Sequence, residues 1–219
     1  MRWRAVLLAS ALVAGSAGLR AAAGSSPQEG AVAGLQAWLD GTRDLTCRFE
    51  QRLLSGVLGT GTREYGVLYL LRPGRLRWDY TRPEPKTAVV EGGRTLLYLP
   101  EDRQLIRGHL DPEQDLLPAL LAGKGSVSAL FEAELAGEAG SGASRTIRLR
   151  LMPRGASRGV EEVVLTLRGP ECSIERAEVL DPAGNRMEYL FTRVRRNTGL
   201  SESVFTFEAP PGTEIVDSP

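Results

Sequence analysis

The sequence has little of what most metal centres are built from. It contains one histidine, His109, and two cysteines, Cys47 and Cys172, among 219 residues. One histidine is too few for a His-based metal site, and the two cysteines are too far apart in sequence to form a CxxC ligand pair. We therefore expect neither a bound metal nor another cofactor.

Motifs for enzyme chemistry are also missing. The segment GASRG at residues 155–159 matches a nucleophile elbow, but that motif needs a strand before it, a helix after it and a later histidine. Here β patterns flank the segment and His109 precedes it. Lys124 does not complete a phosphate-binding loop, because Pro118 stands where that loop needs glycine and Gly125 follows the lysine. We expect no enzymatic activity.

Lysine is scarce, since 25 of the 27 basic residues are arginine, and the formal net charge is zero. The arginines are spread along the chain and alternate with apolar residues. A protein that binds nucleic acid more often gathers its basic residues into one patch. We therefore expect no nucleic-acid partner.

The chain has no apolar run of the ~20 residues that a membrane-spanning helix needs. Residues 1–4 are basic, residues 5–19 are apolar and small, and residues 21–23 read AAA. This pattern predicts a secretory signal peptide over residues 1–23. No cysteine near the cleavage site could accept a lipid. We expect residues 24–219 to form a single exported, soluble domain.

The two cysteines allow two interpretations. Export to an oxidising compartment permits a disulfide between Cys47 and Cys172. Cys47 also lies in an alternating strand pattern, where a buried free thiol is common. The sequence leaves both interpretations open.

Most of the mature chain has the patterns of short β-strands. Apolar residues at helical spacing predict one amphipathic helix over residues 28–43. Period-two alternation follows at residues 46–53 and 63–71. The segment of residues 66–99 is central: Leu76, Trp78 and Tyr80 alternate with charged residues, and a Gly-Gly pair at 92–93 suits a two-residue hairpin. These features predict an antiparallel meander.

A helical insertion interrupts the β patterns. Residues 111–123 have an acidic start, a glycine stop and a dense set of leucines, with Pro118 expected to kink or split the helix. A second helical piece is expected from Ser126 or Ser128 to Glu132. Further strands are expected near 147–151, 163–167, 174–180, 187–191 and 204–207. About ten strands form a sheet that must curl or close, so we expect helices laid into its concave side.

Four segments carry a resemblance to a known family: FEQ at 49–51, LRPGRLRW at 71–78, VEGGRTLLYLP at 90–100 and FTFEAPPGTEIV at 205–216. Together with the signal peptide and the first helix, they resemble the periplasmic outer-membrane lipoprotein carrier family, LolA. The resemblance implies a mainly β fold with some α, an unclosed antiparallel β-barrel of about ten to eleven strands with an N-terminal helix and a helical lid.

The function implied by this resemblance is chaperoning in the periplasm. Such a protein accepts a lipidated protein from an inner-membrane ABC transporter, shields its acyl chains and delivers it to the outer membrane, to an acceptor there if one is present. We expect it to act as a monomer. The alternatives are the outer-membrane acceptor of the same fold, which should carry a lipidated cysteine, and a periplasmic sensor of lipoproteins, which should have a second domain.

The resemblance also assigns roles to residues. It implies that Arg72 hydrogen-bonds the lid and is needed to accept or release cargo. The expected lid face consists of Leu116, Leu117, Leu120 and Leu121. The expected wall of the lipid cavity consists of Phe49, Leu68, Leu70, Leu76, Trp78, Tyr80, Leu96 and Tyr98.

Overall fold

Strand pairing organises the structure, a computed structural model that describes residues 26–56, 61–111, 116–123, 125–155 and 159–218. The predicted signal peptide lies outside the described residues. Within them, no helix combines the length and apolar character that crossing a bilayer requires. The α-helices of the described residues are α1 (Pro27–Asp40), α2 (Leu116–Leu121) and α3 (Val127–Leu130).

The strands form one sheet of twelve in the described chain. They are β1 (Asp44–Leu54), β2 (Gly61–Leu71), β3 (Arg75–Arg82), β4 (Lys86–Glu91), β5 (Arg94–Leu99), β6 (Gln104–His109), β7 (Phe131–Ala139), β8 (Thr146–Pro153), β9 (Glu162–Arg168), β10 (Ser173–Leu180), β11 (Arg186–Arg196) and β12 (Glu214–Asp217). Their order is β12-β6-β5-β4-β3-β2-β1-β11-β10-β9-β8-β7. Among these described strands, β12 alone pairs in parallel, with β6.

This arrangement confirms the predicted fold class, because the sheet is unclosed, mainly antiparallel and accompanied by an N-terminal helix. It has one or two strands more than predicted. Strand β7 replaces part of the second predicted helix: α3 ends at Leu130, and Phe131 is already extended. From Phe131 onward, apolar and acidic residues alternate, and the strand pairs with β8.

Helix α1 begins with a capping box. The Ser26 hydroxyl accepts a hydrogen bond from the Glu29 amide at 3.2 Å, and the Glu29 carboxylate accepts one from the Ser26 amide at 2.7 Å. Pro27 fills the first turn, where no amide partner is required. The helix ends at Asp40, earlier than predicted, because Gly41 and Thr42 close its last turn by bonding back to carbonyls of the helix.

The helices pack against one face of the sheet, which we call the inner face. It carries Leu68 and Trp78, and cross-strand pairing places every second residue of the neighbouring strands beside them. The opposite face is the outer face. Buried residues from β3 on one side to β8 on the other join α1 and α2 in a single cluster, so the sheet wraps around the helices. The buried residues of α1 in this cluster are Ala31, Leu35, Trp38 and Leu39.

Gly66 allows an aromatic ring to lie directly on β2. A methyl group at this position would come within 2.6 Å of the Phe49 ring and would also meet the Asp79 carbonyl. Phe49 pairs with Gly66 across the strands, and the missing side chain leaves the space that the ring occupies. A glycine inside a strand usually weakens the strand. Here the close packing of the Phe49 ring explains why glycine occupies this position.

We expect Gly66→Ala to lower the free energy of unfolding by ~1–3 kcal/mol, because the extra methyl overpacks a filled core. That loss lowers Tm by about 2–4 °C per kcal/mol in a chain of this size. Gly137→Ala in β7 is the matched control, since nothing lies within 4 Å of a methyl group there. Equal melting temperatures for the two variants in calorimetry would contradict this packing.

The C-terminal segment crosses the outer face. Arg77 donates to the Val204 carbonyl at 2.8 Å, and the Phe205 side chain is fully buried. The strand predicted at residues 204–207 is therefore wrong: Glu202–Phe205 is a 3-10 turn, and Phe207 packs on Tyr98 with 5.1 Å between ring centroids. The apolar residues there serve side-chain packing on the outer face rather than a hydrogen-bonded ladder.

Asp44 ties this segment to β1. Its carboxylate accepts hydrogen bonds from the Thr198 amide at 2.8 Å and the Gly199 amide at 3.0 Å. Burial raises the pKa of the Asp44 carboxyl, but these hydrogen bonds outweigh it, so the pKa lies below its ordinary value of 3.8. The carboxylate therefore stabilises the fold above that value, and the contribution is lost as the pH falls through the lowered pKa.

We expect Asp44→Asn to remove this part of the acid sensitivity. In urea titrations between pH 2 and pH 6, the wild-type free energy of unfolding should fall below about pH 4, and the variant should be less stable at pH 6 with a shallower fall. Parallel curves for the two proteins would contradict the role of Asp44.

Candidate functional site

An aromatic cluster lies on the inner face. The Phe49 ring meets Trp78 edge-on, with 4.9 Å between centroids, and meets Tyr80 at 5.0 Å. Trp78 also lies 5.3 Å from Tyr189, which stacks in parallel with Phe191. Three of these rings are residues that the sequence assigned to a cavity wall. Tyr189 and Phe191 were missed, although their alternation in β11 was visible and their pairing with β1 decides their face.

Leucines continue this wall towards the helices. Leu68, Leu70 and Leu76 are almost fully buried in the same cluster as Trp78. Between the wall and α1 remains a cavity of about 20 Å³, lined by Leu68, Leu70, Trp38 and Arg72 among others. That is the room of roughly one water molecule. The helices therefore fill the inner face in this structure.

Helix α2 supplies much of that filling. Four of its leucines are buried in the cluster of the inner face: Leu116, Leu117, Leu120 and Leu121. They are the residues that the sequence assigned to the inner face of a lid. The helix has only six described residues, and Pro118 lies inside it. Proline inside a helix removes a backbone hydrogen bond, so the packing of the leucines stabilises this helix.

Arg72 and Gly74 hold the carboxyl end of α2. The Arg72 guanidinium donates to the carbonyls of Leu121 and Leu120, both at 3.1 Å, and the Gly74 amide donates to the Ala122 carbonyl at 2.9 Å. The last carbonyls of a helix lack partners within it and carry partial negative charge, so a cation there is favourable. Burial lowers the pKa of Arg72, while the charge of Asp40 acts in the opposite direction.

Helix α3 is attached separately, to α1. The Gln36 side-chain oxygen accepts from the Val127 amide at 2.8 Å, and the Ser126 hydroxyl caps the same helix by accepting from Ala129. Gln36 is itself positioned by its amide group, which donates to Asp40 at 2.8 Å. Arg154 also holds α3, because its amide donates to the Leu130 carbonyl and its guanidinium to the Ser128 carbonyl.

Two predicted wall residues are on the wrong face. Leu96 pairs with Val89 and Tyr98 pairs with Thr87, whereas Trp78 pairs with Ala88, so both side chains point to the outer face. The prediction that they line the cavity is wrong. The two-residue turn at Gly92-Gly93 could have shown this, because it pairs residue 91 with residue 94 and so fixes the faces of β5.

The two cysteines are not bonded. Both thiols are free and buried. Cys47 lies on the inner face opposite Leu68, and burial raises the pKa of its thiol to about 12. Cys172 lies against α1, where Gly34 leaves room for its sulfur: a methyl group at that glycine would be 2.6 Å from it. The structure therefore agrees with the second interpretation, in which the thiols are buried and free.

A comparison with models of known protein families identifies the family of this chain. The family model for the outer membrane lipoprotein carrier protein LolA matches residues 40–208, which include β1 to β11 and the α2–α3 segment. This chain belongs to the LolA family. The signals that carried the resemblance in the sequence, such as residues 49–51 and 71–78, lie within the matched region.

Relatives within the LolA family are similar along most of their length. The outer-membrane lipoprotein carrier protein of Dechloromonas aromatica is 29% identical over 188 residues, which is 85% of this chain and 88% of that protein. The carrier protein of Pseudomonas syringae pv. syringae is 32% identical over 188 residues, covering 84% and 87%. A crystal structure of an uncharacterized conserved protein from Thermus thermophilus shares the fold, with a TM-score of 0.55 at 14% identity, covering 84% and 95%.

Proposed function

We propose that this protein is a periplasmic carrier that shields the acyl chains of lipoproteins between the inner and the outer membrane. The observation that carries the proposal is the way α2 covers the inner face. Its leucines are buried in the same cluster as the aromatic residues, and Arg72 and Gly74 hydrogen-bond to carbonyls at its carboxyl end. When α2 moves away, an apolar surface is exposed that acyl chains can cover.

The free energy lost when α2 leaves the inner face is similar to the free energy gained when an acyl chain covers that face. Four leucines leaving a buried site lose ~6–12 kcal/mol, at ~1.5–3 kcal/mol each. An acyl chain of about 15 methylenes gains ~12 kcal/mol on burial, at ~0.8 kcal/mol per methylene. For one acyl chain the two terms are similar, so one chain and α2 can displace each other from the inner face. A carrier needs this balance because it must bind its cargo and also release it.

Arg72 acts as the latch in this scheme. Its hydrogen bonds to α2 exist only while the helix lies on the inner face, so they favour the closed state and help to expel cargo at the end of transfer. The partners in our proposal are an inner-membrane ABC transporter that supplies lipoproteins and, if present, an outer-membrane acceptor that takes them. Because no bond of the cargo is made or broken, the protein acts as a binding protein and not as an enzyme.

Release of a lipoprotein from inner-membrane vesicles tests this function. Vesicles that contain the transporter and a radiolabelled lipoprotein are mixed with residues 24–219 and ATP, and the supernatant is separated by size. We expect an ATP-dependent soluble complex of carrier and lipoprotein. Vesicles without ATP, and the same cargo without acyl chains, should give none. The absence of a soluble complex in the complete reaction would contradict the proposal.

A further inference from the structure

A row of polar side chains crosses the inner face beside the aromatic cluster. We call it the polar row; its members are Tyr189 of β11, Gln51 of β1, Glu64 of β2, Tyr80 of β3 and Lys86 of β4. Gln51 pairs with Tyr189 on one side and with Glu64 on the other, and Tyr80 pairs with Lys86. Tyr80 pairs with Gly66, two residues from Glu64, so the five adjacent strands each contribute one polar residue at one of two neighbouring levels of the sheet.

Members of the polar row contact one another. The Tyr80 hydroxyl donates to the Gln51 side-chain oxygen at 2.8 Å, and the Lys86 ammonium pairs with the Glu64 carboxylate at 2.6 Å. The same ammonium lies 4.4 Å from the centre of the Tyr80 ring. Lys86 is one of only two lysines in the sequence. These contacts hold the side chains in fixed positions at the edge of an apolar surface.

Part of the hydrogen-bonding capacity of the polar row is unused. The Gln51 side chain is only 8% exposed, and its amide nitrogen donates to no residue in the described part of the chain. The Tyr189 hydroxyl donates only to the sulfur of Met187, which is a weak acceptor. The Gln51 nitrogen is not among the sealed polar atoms that lack a partner in the described chain, so solvent or a ligand can reach it. An accessible amide donor beside a hydroxyl with only a weak acceptor suits a ligand that brings acceptor oxygens.

The position of the polar row limits what that ligand is. Gln51 follows Phe49 by two residues, Tyr80 follows Trp78 by two, and Tyr189 precedes Phe191 by two. Each step of two residues is about 7 Å along a strand. A ligand that lies on the aromatic cluster and reaches the polar row must therefore be apolar along its length and carry acceptors at one end.

We propose that the polar row binds the carbonyl oxygens of the esters that join the acyl chains to the glyceryl group of the cargo. This inference rests on the carrier function proposed above. The Gln51 amide and the Tyr189 hydroxyl donate to these oxygens, and the methylenes lie on Phe49 and Trp78. A few fixed polar groups in an apolar site set the position of a ligand. Here they set the depth to which the acyl chains enter.

A matched pair of ligands tests this inference. One is a dipalmitoyl lipopeptide with ester-linked chains, and the other is its dihexadecyl analogue with ether links, which keeps the chain length and lacks the carbonyls. Affinities are measured by displacement of an environment-sensitive fluorophore from residues 24–219. We expect the wild type to bind the ester about tenfold to a hundredfold more tightly than the ether, since two donors contribute.

The substitutions Gln51→Met and Tyr189→Phe should each reduce this ester-to-ether ratio by about threefold to tenfold, the value of one hydrogen bond. Tyr98→Phe is the control, because it removes the same hydroxyl from the outer face and should leave the ratio unchanged. Thermal melts confirm that each variant is folded. An unchanged ratio in both inner-face variants overturns the inference while leaving the carrier function standing, whereas a wild type that binds neither ligand overturns both.

Discussion

Replacing Arg72 with leucine should leave the protein folded and slow the release of cargo. The variant loses two hydrogen bonds from a charged donor to the carbonyls of Leu120 and Leu121. Bonds of this kind are worth ~1.5–3 kcal/mol each. Even a net loss of about 2 kcal/mol raises the fraction of molecules with α2 displaced by about 30-fold. Lipopeptide affinity should rise by tenfold or more, because less of the binding energy is spent on opening.

Hydrogen exchange can measure the displacement of α2 directly. The Gly74 amide donates to the Ala122 carbonyl at the end of α2, so its exchange should accelerate in Arg72→Leu under native conditions. Arg75→Leu is the matched control, because Arg75 lies close in sequence and pairs with Glu91 and Glu202 at the surface. Equal exchange rates in the two variants, together with unchanged transfer of cargo, would remove Arg72 from the mechanism.

Replacing Leu120 with aspartate should have the largest effect of any change in α2. Leu120 is 1% exposed within the cluster of the inner face. A carboxylate there loses its hydration without gaining a partner, at a cost of several kcal/mol. Since the described residues of α2 pair with no strand, the helix should leave the inner face while the sheet stays intact.

The test of Leu120→Asp combines circular dichroism with the binding of an apolar fluorescent dye. We expect a native β spectrum, strongly increased dye binding and tighter lipopeptide binding than in the wild type. Ala129→Asp introduces the same charge at an exposed position of α3 and should behave as the wild type does. Loss of the β spectrum in Leu120→Asp alone would mean that α2 is a structural part of the core and not a displaceable lid.

Local pattern was enough to predict most of the sheet. Alternation in residues 75–80 and 187–191 predicted strands correctly, and in the first of them Leu76 and Trp78 are buried between partly exposed neighbours. Residues 204–207 alternate in the same way, yet they pack as a turn on the outer face. An alternating pattern of apolar residues indicates that every second side chain is buried. It does not indicate whether the backbone pairs with another strand.

The structure was needed to assign side chains to the two faces of the sheet and to identify contacts between residues far apart in sequence. Leu96 and Tyr98 look as apolar as Leu76 and Trp78, and only the cross-strand register assigns them to opposite faces. The polar row is spread over residues 51 to 189 and becomes one feature only when five strands align. The contact between Arg72 and α2 spans 48 and 49 positions. It was anticipated from the family resemblance, since 25 arginines give no local signal that singles one out.

A photoreactive lipopeptide tests the central claim most directly. A diazirine near the end of one acyl chain is activated after binding to residues 24–219, and the labelled residues are identified by mass spectrometry. The account predicts labelling of the inner face, at residues such as Phe49, Trp78 and Leu76, that excess unlabelled lipopeptide abolishes. Labelling confined to outer-face residues such as Leu96 and Tyr98 would contradict it.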